Sequence, residues 1–249
     1  KIDPNLIPNH DILLAGFPCQ PFSIIGDKAG FNDDTQGTLF FYIKEILKTK
    51  KPKAFLLENV RNLVAHDKGR TFKVISINLE ALGYKIHYKV LNALDFGLPQ
   101  KRERIYIIGF LEENNFVFPQ PHSIEKQSLD DILEKKVSSK YYVNDKIKIS
   151  REARMKKQIS KPYITHENVA GSITPHDYSC ALRANASANY LLVNNERRLT
   201  EREMLRLQGF PEEYIIPDIS YTQFKKQLGN SVSIPVVRAI AQQIIKEIK

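Results

Sequence analysis

Cysteine is scarce in this sequence, with two residues, Cys19 and Cys180, in a chain of 249. Two thiols cannot make a disulfide framework, and their scarcity fits a reducing, cytoplasmic compartment. No apolar run approaches the roughly 18 residues that a membrane span needs, and no secretory signal is visible, so no membrane partner is expected. No internal repeat appears, and nothing in the residue pattern calls for a metal. Acids are also short, with 28 Asp and Glu against 37 Lys and Arg, a formal net charge of +9. Such an excess favours a polyanionic partner, nucleic acid before a membrane surface, over a shell that only confers solubility. The 42% of hydrophobic residues is enough for a substantial core, which suits one large domain or a domain with an appended lobe.

What is present is an alternation of element types. DILLA (11–15) is a short apolar run ending at Gly16 and reads as a buried strand. TLFFYIKEILK (38–48) has helical spacing, with Leu39, Tyr42, Ile43, Ile46 and Leu47 on one face. PKAFLLENV opens at Pro52 and reads as a second buried strand. Residues 70–82 are helical, with Phe72, Ile75, Leu79 and Leu82 on one side and Gly83 as the stop. YKIHYKVLN and RIYIIGF follow as strands. A β-α-β-α-β-β order implies parallel crossovers in an α/β domain, with ligands at the carboxyl ends of the strands.

From about residue 112 the periodicity fades. Between Lys135 and Lys161 there are ten Lys or Arg and two acids, Asp145 and Glu152, a bias that suits phosphate tracking better than a solvated loop. Order returns at RRLTEREMLRLQGFP, where Thr200 and Glu203 have the spacing of a capping box and Gly209 and Pro211 end the helix. SIPVVRAIAQQIIKEIK reads as an amphipathic helix with Pro235 in its first turn.

Two places combine chemistry with position. Cys19 follows Pro18 where the first strand exits into a loop, a place where sites collect, although an isolated Cys is often only a small buried hydrophobe. Glu58 ends the apolar run AFLL, where a charge is costly without a purpose. If the two strands are neighbours, a thiol and a carboxyl face one pocket.

These residues resemble the cytosine C5 DNA methyltransferases. GFPCQPFS is similar to the family's nucleophile motif, ENV (58–60) to its glutamate motif, and QKRERIYIIGF (100–110) to its Gln-x-Arg-x-Arg motif. RRLTEREMLRLQGFP and QLGNSVSIPVV resemble the two motifs that close the catalytic domain. The five blocks stand in family order across residues 11–110 and 197–245, nearest to the small bacterial restriction-modification enzymes.

The resemblance implies a Rossmann-like, S-adenosylmethionine-dependent methyltransferase sheet with a smaller DNA target-recognition region. The implied division is a catalytic part at 1–111, a recognition region at 112–195 and a return to the catalytic domain at 196–249. It implies that Cys19 adds to C6 of a cytosine flipped out of duplex DNA. Glu58 then binds N3 and the exocyclic amine, Arg104 reaches O2 and a neighbouring phosphate, and Arg102 helps hold the active-site loop. The loop from Ser23 to about Thr35 would close over the DNA. Pro18, Leu39, Asn230, Ser231 and Val232 are implied cofactor contacts, and Gln20 and Ser23 DNA contacts. In YSCALRANASANYLLV, Ala181-Leu182 stands where the family commonly has Thr-Leu; Arg183 and Asn185 are candidate DNA contacts and Cys180 is expected to be structural.

The resemblance also implies a Gly-rich strand-turn-helix before the nucleophile, and the 18 residues ahead of Cys19 hold none. The expectation is a sheet truncated at its N-terminal side, its first strand an open edge. A separate N-terminal chain would complete the cofactor site, or further sequence precedes Lys1, or the chain is an inactive fragment. A cognate restriction endonuclease would share the DNA target without needing to bind this chain, and the location would be the bacterial cytoplasm, at the nucleoid. The rival readings are a non-catalytic DNA-binding subunit and a transfer-RNA methyltransferase. The second is disfavoured because the recognition region has no Cys-Phe-Thr signature.

Overall fold

The structure, a computed structural model, describes residues 3–17, 39–120, 125–155 and 157–248. In chain order the described elements begin with β1 (Ile12–Gly16), α1 (Leu39–Lys50), β2 (Ala54–Val60), α2 (Arg70–Glu80), β3 (Lys85–Asn92), β4 (Gln100–Lys101) and β5 (Glu103–Phe110). They continue with α3 (Leu129–Ile132), α4 (Asp145–Glu152), β6 (Ile164–Glu167), β7 (Ile173–His176), β8 (Ser179–Cys180), β9 (Leu191–Val193), α5 (Glu201–Gln208), α6 (Tyr221–Asn230) and α7 (Ile234–Glu247). The chain packs as two units, one of residues 1–91, 103–119 and 240–249, the other of 92–102 and 120–239.

The first unit is built on a sheet in the order β1-β2-β5-β3. β1 and β2 run parallel, with Ile12 opposite Ala54 and Gly16 opposite Glu58. β5 lies antiparallel to β2, pairing Ala54 with Phe110 and Val60 with Arg104. Ala54, Phe55, Leu56 and Leu57 of β2 are buried, as a strand covered on both faces requires. One face carries Phe55, Leu57, Ile105 and Ile107 against α1 and α2. The helical stripe in α1 is Phe40, Ile43 and Leu47, so the sequence-based face needs one correction: Leu39 is half exposed and Phe40 takes its place. Both stripes have helical spacing and share Ile43 and Leu47; packing of Phe40 against Phe17, ring centroids 5.6 Å apart, selects between them. In α2 the buried stripe is Thr71, Ile75 and Leu79. β1 pairs on one side only among the described residues, and its Leu14 is 58% exposed.

The second unit holds what sequence periodicity did not reveal. β7-β6-β9 form a small antiparallel sheet, and β4 pairs in parallel with β8. These strands have two to four residues, too short for alternation to register. Its core joins Leu129, Leu182, Tyr190 and Leu191 to Met204 and Leu205 of α5 and to Phe224 and Leu228 of α6. Around that core, residues 196–239 and 92–102 pack with 120–195, and of the C-terminal segment only 240–249 joins the first unit.

Candidate active site

The parallel register of β1 and β2 brings the exit of one strand beside the acid of the other. Gly16 is the Cα partner of Glu58, and a Cβ on Gly16 would stand 3.6 Å from Glu58 Oε2. Across the antiparallel pair Glu58 faces Tyr106, which makes Arg104 its diagonal neighbour on the same face. The Arg104 Nε donates to Glu58 Oε1 at 2.9 Å, and each side chain is only 14% exposed. Burying either charge alone would be costly, and the pair offsets that cost. A second Arg104 nitrogen donates to the Glu103 carbonyl at 2.9 Å.

Asn59, the residue after Glu58, carries no sequence signal of its own. It is buried, its Nδ2 donates to the Phe17 carbonyl at 2.6 Å, and its Oδ1 accepts from the Val60 N–H at 2.8 Å. The bond fixes the backbone one peptide before Pro18. No periodicity marks such a residue; the signal available is an amide directly after a candidate functional acid at a strand end. Pro18, Cys19, Gln20, Ser23 and the loop to Thr35 lie outside the described residues.

Arg102, two residues from Arg104, is engaged within the second unit. It is buried, with donors to the carbonyls of Leu182 at 3.0 Å, Gly229 at 3.1 Å and Ser231 at 2.5 Å. Gln100 is buried beside it, donating to the Leu207 carbonyl at 2.7 Å and accepting from the Leu182 N–H at 3.2 Å. Two of the three carbonyls on Arg102 frame the end of α6, where Asn230 is exposed and Ser231 and Val232 are partly so. Leu39 belongs to the first unit. Arg183 and Asn185 are exposed on the segment between β8 and β9. Cys180 is half-buried, and burial pushes its thiol pKa up, away from reactivity.

The family model for C-5 cytosine-specific DNA methylases matches residues 1–246. The chain belongs to that family. It is 58% identical over 240 residues to the Type II methyltransferase M.NgoBI of Neisseria gonorrhoeae, a match covering 96% of this chain and 75% of that protein. It is 56% identical to M.HaeII of Haemophilus aegyptius, covering 99% of this chain and 77% of the other. Among solved structures, DNMT2 of Spodoptera frugiperda superimposes with a TM-score of 0.71 at 20% identity, covering 98% of this chain and 83% of that one. The Entamoeba histolytica methyltransferase EhMeth gives 0.71 at 19% identity, covering 95% and 77%. At those identities the two structures speak for the fold, a methyltransferase α/β sheet. As a C-5 cytosine methylase, the protein is a DNA methyltransferase that takes its methyl group from S-adenosylmethionine. No described helix is long and apolar enough to cross a membrane.

Proposed function

We propose that this methylase is the modification enzyme of a Type II restriction-modification system, working on a flipped cytosine through Cys19. The carrying observation is the largely buried Glu58–Arg104 pair at the carboxyl end of β2, beside the exit of the strand that leads to Cys19. The Cys19 thiolate adds to C6, and the displaced electron pair makes C5 nucleophilic. Glu58, held by Arg104, hydrogen-bonds the N3 and amine edge as charge develops there. C5 would take a methyl group whose bond to a sulfonium sulfur breaks, the sulfur keeping the electron pair; loss of the C5 proton and departure of Cys19 from C6 would then restore the aromatic ring. Arg102 shapes the turn at Asn230–Val232 through its carbonyl contacts. Gln20 and Ser23 would touch the DNA around the vacated position.

S-adenosylmethionine, when bound, supplies an electrophilic methyl on a sulfonium. The residues present suit it: Leu39 and Val232 offer exposed or partly exposed apolar surface, and Asn230 and Ser231 offer an amide and a hydroxyl. We further propose that a strand from a separate N-terminal chain pairs with β1 to complete the cofactor site. Supporting this are exposed Leu14 and the side of β1 that no strand among the described residues pairs with, because an uncovered parallel edge is a liability that proteins cover. A cytoplasmic, nucleoid-associated location and an endonuclease reading the same target belong to the same proposal.

Covalent trapping tests it. The chain is mixed with S-adenosylmethionine and duplex DNA bearing 5-fluorocytosine at many positions, where fluorine cannot leave as the proton does. A DNA-linked band on a denaturing gel, lost in Cys19→Ser, is the expected result. Glu58→Gln should slow trapping by roughly a few hundredfold, or about 3–4 kcal/mol. A band that persists in Cys19→Ser overturns the mechanism. No band, even with an N-terminal partner added, favours a non-catalytic DNA-binding subunit.

A further inference from the structure

The segment between β8 and β9, residues 181–190, is two successive turns, closed by Ala186 N–H to the Arg183 carbonyl and Tyr190 N–H to the Ser187 carbonyl, each at 3.4 Å. Its exposed side chains alternate: Arg183, Asn185 and Ser187 project outward, separated by the less exposed Ala184 and Ala186. Arg and Asn are side chains whose forked donors and acceptors match guanine and adenine edges. A short, alanine-spaced loop has little of its own to hold it still.

The hold comes from beneath. Lys225, on α6, is buried, and its ammonium donates to the carbonyls of Ala186 and, at 3.2 Å, Ser187. No carboxylate pairs with it among the described residues; a desolvated cation is being used to tie down two peptide oxygens. The Tyr190 ring has that ammonium 5.5 Å from its centroid and the Arg183 guanidinium 5.0 Å from it. Its hydroxyl accepts from the Arg183 N–H at 2.9 Å and donates to the Ala181 carbonyl at 3.2 Å. One turn further along α6, Gly229 lies against the backbone of the segment: a Cβ there would be 2.3 Å from the Ala184 nitrogen.

We infer that Lys225 is a positioning residue for DNA sequence readout, fixing from below the backbone that carries Arg183, Asn185 and Ser187 to the base edges. It rests on the reading that this region contacts DNA, and not on the chain being active alone. A freely rotating surface loop could contact phosphates equally well. What the buried ammonium and the hydrogen-bonded Tyr190 add is a fixed spacing between three side chains, which base discrimination needs and phosphate attraction does not.

The test is binding selection, which needs no methyl transfer and so fails independently of the trapping experiment. The immobilised chain, as wild type, Lys225→Met, Lys225→Arg and Arg183→Ala/Asn185→Ala/Ser187→Ala, selects duplexes from a randomised library, and the bound pool is sequenced. The wild type should enrich a defined motif. Lys225→Met should lose roughly tenfold or more in preference at particular positions of that motif. Binding to non-specific duplex should change far less, and Lys225→Arg, which keeps the donors, should recover part of the loss. The triple variant alters only exposed side chains, so it should fold even if Lys225→Met does not, and it should relax the same positions. A motif unchanged in the triple variant overturns the inference. So does a wild type that enriches no motif, or a Lys225→Met variant that is folded and equally selective.

Discussion

At the scale of single residues, the acid and the amide of Glu58-Asn59 divide the work. Glu58 was legible because a charge at the end of an apolar strand contradicts its surroundings. Asn59 was not, because a buried amide announces itself only through the carbonyl it meets, here that of Phe17, 42 residues earlier. Asn59→Ala leaves that buried carbonyl without its donor. It should cost about 1–3 kcal/mol in urea unfolding and slow 5-fluorocytosine trapping more than its stability loss accounts for. A variant that loses stability but traps at the wild-type rate would make Asn59 structural only. Arg102 and Arg104 show the opposite failure of legibility. Two residues apart, they read as neighbours in one motif, yet Arg102 sits in the break between β4 and β5 while Arg104 lies within β5. Arg104 meets Glu58 while Arg102 gathers three carbonyls of the second unit.

At the scale of elements, α5 was legible from its first turn. Thr200 Oγ1 accepts from the Glu203 N–H at 3.1 Å and Glu203 Oε2 accepts from the Thr200 N–H at 2.9 Å, the capping box the spacing foretold. What the spacing did not reveal is that Glu203 is fully buried and also receives Arg197 in a two-pronged pair, both contacts at 2.8 Å. A side chain serving as helix cap and ion-pair acceptor at once should be intolerant of change. Glu203→Gln leaves a buried guanidinium without its counter-charge and should cost about 3–5 kcal/mol. Thr200→Ala, losing the cap and the hydroxyl's bond to the Glu134 carboxylate at 2.5 Å, should cost less, about 1–2 kcal/mol. Thermal melts of the two variants should therefore differ clearly; equal shifts would mean the ion pair adds nothing beyond the cap. The strands β6 to β9 stayed illegible for a simpler reason: each is too short to display a period, and Leu191–Val193 is buried throughout.

At the scale of the whole molecule, composition spoke clearly about charge and the sheet spoke about its edge. The edge gives one expectation: β1, which pairs on one side only among the described residues and turns Leu14 outward, should promote self-association. Leu14→Lys should then lower light scattering at high concentration without lowering the melting temperature. The charge gives a second. A net +9 could be a diffuse solubilising surface or a footprint for phosphates, and salt separates the two. If about six phosphates are neutralised on binding, the affinity for non-specific duplex falls with log salt at a slope near −5, losing about a thousandfold between 50 and 200 mM. Fluorescence anisotropy with a labelled duplex measures that slope. A slope near −1 would mean that the lysines between 135 and 161 face solvent rather than DNA. A steep slope that persists when Arg183, Asn185 and Ser187 are replaced would assign attraction to the basic surface and discrimination to the loop, the two terms carried by different parts of one chain.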